Sequence, residues 1–185
     1  KKAVFALGDP IFDKKDPRYI AYLKKEKPVL LAKNLSQYSL RHRGIKIVGT
    51  KGEDERDIVF TPLPETQQEV LTIAKLFDTT PQAPDVLLNV DANETQVKKT
   101  MLSAYRYLHF ATHGFLSSNL QGIKEPVLVL SQVENKEGDD GMLALTEVLG
   151  LKLDADMVVL SACVTGTGKV MEGEGVAHFA RAVHH

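Results

Sequence analysis

The sequence predicts an α/β domain with a mostly parallel sheet and helices on both faces. Strand-like runs alternate with helix-like segments, and the two most apolar strands lack the in/out alternation of a half-exposed sheet. The 185 residues fit one ordinary domain, and no internal repeat interrupts them.

AVFALGDP (3–10) is an apolar run stopped by Gly-Asp-Pro, which reads as a buried strand ending in a loop. Residues 13 to 60 mix charge, Pro17, Pro28 and Gly44 with short apolar pieces; irregular structure with a short helix or hairpin is expected. LPETQQEVLTIAKLF (63–77) is an amphipathic helix with Val70, Ile73, Ala74 and Phe77 on one face. Thr66 and Glu69 have the spacing of a capping box. DVLLNVD (85–91) reads as a strand and NETQVKKTML (93–102) as a helix capped by Asn93. YRYLHFATHG (105–114) is a single β-rich run. PVLVLSQ (126–132) and GMLAL (141–145) flank the polar turn VENKEGDD and predict a hairpin with a solvated tip. TEVLGLKL is a short helix, ADMVVLSAC (155–163) a strand, and GEGVAHFARAV (173–183) a last helix.

Hydrophobic residues make up 43% and charged residues 25%, as in a packed globular core. A formal net charge of -1 gives no reason to expect a nucleic acid or an anionic membrane as partner. There is neither a signal-peptide pattern nor an apolar run long enough to span a bilayer. One cysteine cannot form an internal disulfide, which fits a reducing, cytoplasmic location. The opening Lys1-Lys2 reads as the start of a piece cut from something larger, and His184-His185 as a tag remnant without functional weight.

In open α/β sheets, ligands bind beyond the carboxyl ends of the strands. Gly8 and Asp9 stand at the end of the first strand, Thr112, His113 and Gly114 at the end of 105–112, and Ser161 to Cys163 at the end of the last. Parallel neighbours would bring His113 and Cys163 to one edge, as nucleophile and base. A lone cysteine at a strand end is more often core, and a lone histidine more often structural. The pairing of the two favours chemistry, and their spacing of fifty residues is that of a caspase-type dyad.

HFATHGF (109–115), LVLS (128–131), DGMLALTEVLGLKLDADMVVLSACVTGTGK (140–169) and GEGVAHFARA (173–182) closely resemble the CHAT domain, a caspase-like peptidase domain often found downstream of TPR repeats in bacterial proteins. ALGDPIF (6–12) and LPETQQEV (63–70) also fit, so the resemblance covers nearly the whole chain as a single domain, 1–183. It implies a caspase-hemoglobinase-like fold and a Cys-His dyad of Cys163 and His113. The backbone N–H groups of Gly114 and Cys163 would hold the oxyanion, and no cofactor or metal is called for. Asp9 and Ser161 would wall the substrate pocket, with Asp9 favouring a basic residue; Asp9 reads equally as a turn residue before Pro10. Glu172 would rim the pocket or cap the final helix. A protein or peptide substrate and TPR repeats in the same polypeptide are the expected partners. Members continue past the last helix with further strands, so the chain reads as C-terminally truncated, with an open sheet edge.

Two other readings stand beside the peptidase. One is a catalytically silent CHAT interaction module; the other is a redox-sensing thiol without a histidine in reach. CVTGTGK has the spacing of a phosphatase loop, but Lys169 stands where a fork-shaped Arg is needed, and Val170 excludes a Walker loop. The acidic turn lacks EF-hand spacing, and no His/Cys cluster has zinc spacing.

Overall fold

A computed structural model describes residues 1–25, 45–49, 56–115 and 125–161. At its centre lie four parallel strands: β1 (Lys2–Pro10), β4 (Val86–Asn89), β5 (Tyr105–Ala111) and β9 (Met157–Leu160), in the order β4–β1–β5–β9. Gly8 is level with Ala111, and Phe110 with Leu160. The Ser161 N–H donates to the Phe110 carbonyl at 2.8 Å, so β1, β5 and β9 end together at one edge.

Both faces of this sheet are covered, which is why its strands read as unbroken apolar runs. On one face α2 (Pro64–Leu76) sets Val70 and Ala74 against Ala6, Val86 and Ala111. Its approach is close at Gly8, where a Cβ would stand 2.7 Å from Val70 Cγ2 and 2.9 Å from the Thr66 carbonyl. On the other face Phe5, Leu7, Leu108 and Phe110 pack with Val97 of α3 (Glu94–Lys99), Leu102 of a 3-10 turn (Leu102–Ala104) and Val148 of α4 (Leu145–Gly150).

Local chemistry explains the element ends. Pro64 opens α2 at a position where its missing N–H costs nothing. The expected capping box there does not form, because the Thr66 hydroxyl donates to Leu63 O at 2.7 Å and accepts the Asp9 N–H at 2.7 Å. Asn93 does cap α3, its Oδ1 accepting from Gln96 N at 2.9 Å. That helix is shorter than expected, since Thr100 turns extended. Within 13–60 the chain forms α1 (Pro17–Leu23), capped by Asp16, and an antiparallel pair of β2 (Ile45–Gly49) and β3 (Arg56–Phe60).

The run 105–114 is not one strand. β5 ends at Ala111, and β6 (His113–Phe115) joins a second, antiparallel sheet with β7 (Val127–Val129) and β8 (Met142–Ala144). Thr112 makes the break, its hydroxyl donating to the Val129 carbonyl and drawing the chain out of the parallel sheet. β7 and β8 pair as the expected hairpin, and the polar turn between them is exposed at its tip, Lys136 to Gly138, as expected, but it is anchored at its sides. It folds onto α3: Asn135 Oδ1 accepts the Glu94 N–H at 3.1 Å, and Thr95 Oγ1 donates to Asp139 at 2.5 Å. Lys98 binds Glu94, Asp139 and Glu147 at 2.5, 2.9 and 2.7 Å. The last helix of the sequence reading, 173–183, lies outside the described residues.

Candidate active site

His113 sits immediately after the Thr112 break, 2% exposed. Its Nε2 lies 2.8 Å from the Thr61 carbonyl. A carbonyl only accepts, so Nε2 carries the proton and Nδ1 is the nitrogen with a lone pair in the neutral ring. The rings of Phe12 and Phe60 lie 5.2 and 6.1 Å from the imidazole, between the ends of β1 and β3. Burial holds the His113 pKa below its ordinary value; the Thr61 carbonyl and the nearby Glu65 carboxylate favour the imidazolium but do not outweigh desolvation. The ring is therefore mostly neutral at neutral pH, with its lone pair on Nδ1.

Asp9 ends β1 as a bulged residue at φ 46°, a left-handed conformation that Asp tolerates better than most side chains. Its carboxylate is 2% exposed and meets Arg18 of α1, with Nη1 at 2.5 Å from Oδ1. That approach is off the line of a well-directed hydrogen bond, and Oδ1 has no other polar partner among the described residues. Arg18 turns its other edge to Asp16, Nε at 3.0 Å and Nη2 at 2.7 Å, while Nη1 also reaches Asn89 Oδ1 at 3.2 Å. Burial pushes the Asp9 carboxyl up to about 6 despite Arg18, because desolvation exceeds the attraction. The basic group expected opposite Asp9 is thus supplied by the chain itself.

Segment 61–66 ties these residues together: Thr61 holds the His113 ring, Thr66 holds the Asp9 backbone, and Glu65 biases both electrostatically. Gly114 is buried and pairs with Leu128 in the second sheet. Ser161 is exposed where β9 ends, at the same edge as Asp9. Cys163 and Glu172 lie outside the described residues. The sequence reading missed Thr61, Phe12, Phe60 and Arg18. A carbonyl that orients a histidine leaves no sequence signal, whereas Asp16-Pro17 is a visible N-cap and first-turn pair that locates α1.

Among the described residues no cluster of three or more metal-ligating side chains occurs, and no helix is long and apolar enough to cross a membrane. No curated protein and no solved structure matches the chain. A family model does: that of the CHAT domain, over residues 1–185. Matched over its whole length by that model, the chain belongs to the CHAT domain family.

Proposed function

We propose that this domain is a cysteine endopeptidase of the caspase-like clan, with Cys163 as nucleophile and His113 as its base. The CHAT family is associated with caspase-like cysteine peptidases, and the mixed α/β architecture with its parallel sheet is consistent with that fold. The observation that carries the reading is the His113 ring. Its Nε2–H is spent on Thr61, which leaves Nδ1 as the proton-accepting atom. Ser161, two residues before Cys163 in the sequence, leaves the sheet at the same edge.

In this reading Nδ1 takes the thiol proton and the thiolate attacks the peptide carbonyl. Backbone N–H groups of Gly114 and Cys163 stabilise the oxyanion. The imidazolium then protonates the leaving amine, and water releases the acyl group. Peptides or proteins are the substrates, and adjoining TPR repeats in the same polypeptide regulate access. The test is labelling of Cys163 by a peptide ketone. His113→Ala should slow it about 10²-fold or more. Undiminished labelling in that variant would rule out the dyad.

A further inference from the structure

We infer that Asp9 heads a guanidinium-binding site which α1 keeps filled with its own Arg18, so that α1 is a removable plug over the substrate pocket. The inference rests on the peptidase reading, in which Asp9 is already expected to favour a basic residue, and adds what closes that pocket.

Three features of the contact support a plug over a plain structural ion pair. The first is where the contact lies. A buried carboxylate, at a left-handed bulge, stands at the carboxyl end of an inner strand of a parallel sheet, where such folds take ligands. Segment 61–66 holds it in register with His113.

The second is how Arg18 is divided. Its Nε and Nη2 are held by Asp16, two residues away on the same helix end, and only Nη1 crosses to Asp9 and Asn89. If α1 withdraws, Arg18 leaves with its charge still paired to Asp16. The contacts given up are the 2.5 Å approach to Asp9 Oδ1, which lacks good hydrogen-bond alignment, and the 3.2 Å hydrogen bond to Asn89 Oδ1. An incoming guanidinium or amidinium can meet the carboxylate squarely, as a forked donor prefers.

The third is the weak hold on α1. It has seven residues, too few to persist unaided. Only Ala21 is buried, and Ile20, Tyr22 and Leu23 stand exposed. Among the described residues, it is held beyond Arg18 by Tyr19, which packs on Ile11, Val90 and Val133 and donates to Glu134 at 2.8 Å.

The test has a binding arm and a turnover arm, both on the 185-residue chain. Benzamidine should bind Arg18→Ala about tenfold more tightly than wild type, the gain expected from one charge-assisted contact, and the gain should vanish in Arg18→Ala/Asp9→Asn. In turnover, Arg18→Ala should raise kcat/KM for peptides with arginine before the cut relative to the same peptides with leucine. Equal benzamidine affinity in wild type and Arg18→Ala, or undiminished affinity in the double variant, overturns the plug. If no variant cleaves any peptide, the binding arm still decides, because it requires no chemistry. If Arg18→Ala does not fold, Tyr19→Ala replaces it: tighter benzamidine binding than wild type supports the plug, and unchanged binding overturns it.

Discussion

Replacing Asp9 with asparagine should flatten part of the dependence of stability on pH. The Asp9 carboxyl is held at about 6 in the folded protein, against 3.8 for an ordinary aspartate, chiefly because burial opposes its charge. A raised carboxyl pKa means that the folded state binds the proton more tightly than the unfolded chain does. The resulting stabilisation is complete below the ordinary value and is lost as pH rises through about 6. The difference between the two pKa values corresponds to about 3 kcal/mol. An asparagine in this place cannot titrate, and Arg18 keeps Asp16 as its partner. Urea unfolding of both proteins between about pH 4 and about pH 7 should therefore show wild type losing about 2 kcal/mol relative to Asp9→Asn, the part of that difference that falls within this window. Titrating groups that do not interact with Asp9 cancel in that difference. Parallel stability curves for the two proteins would refute the reasoning.

Other consequences follow from the same structure. Gly8→Ala drives a methyl group against Val70 and the Thr66 carbonyl and should cost about 1–3 kcal/mol by urea unfolding. Thr66→Val leaves the buried Asp9 N–H without its acceptor, at about 1–3 kcal/mol by the same measurement. Lys98→Met strands the fully buried Glu94 carboxylate and should destabilise by about 3 kcal/mol; adding Glu94→Gln should recover much of that loss. If His113 is the base, the ketone-labelling rate should rise with pH at a midpoint below 6.5, and Phe12→Ala, by hydrating the ring, should move that midpoint upward.

What the sequence made legible was local. Apolar runs located β1, β4 and β9, helical spacing located α2, and Asn93 announced its own cap, because each signal lies within a few residues of its effect. The misreadings came from groups brought together by tertiary structure. Thr66 looked like a capping residue until β1, 57 residues away along the chain, presented the Asp9 N–H to its hydroxyl. Thr112 read as one more strand residue, but the Val129 carbonyl makes it the point where the chain changes sheets. The polar turn at 133–140 is solvated at its tip, as its composition suggests, but nothing in that composition reveals that Thr95 and Lys98 bind Asp139 beside it. At the site, His113 and Asp9 stood out by residue type and position. Their partners Thr61 and Arg18 did not, because one acts through its backbone and the other lies on a short helix in the least regular part of the sequence.

The change of sheet at Thr112 makes His113 a junction of three ladders. Its peptide continues from the end of the parallel sheet, its backbone pairs with β7 in the second sheet, and its ring is tied to the carbonyl just past β3 of the third. A side chain moored from three directions keeps its aim only while all three supports hold register. A one-residue slip in the β2–β3 pair, remote from the central core, would turn the imidazole as surely as a substitution beside it. The accuracy of this one ring is thus a property of the agreement among three sheets, and it is lost when any one of them shifts.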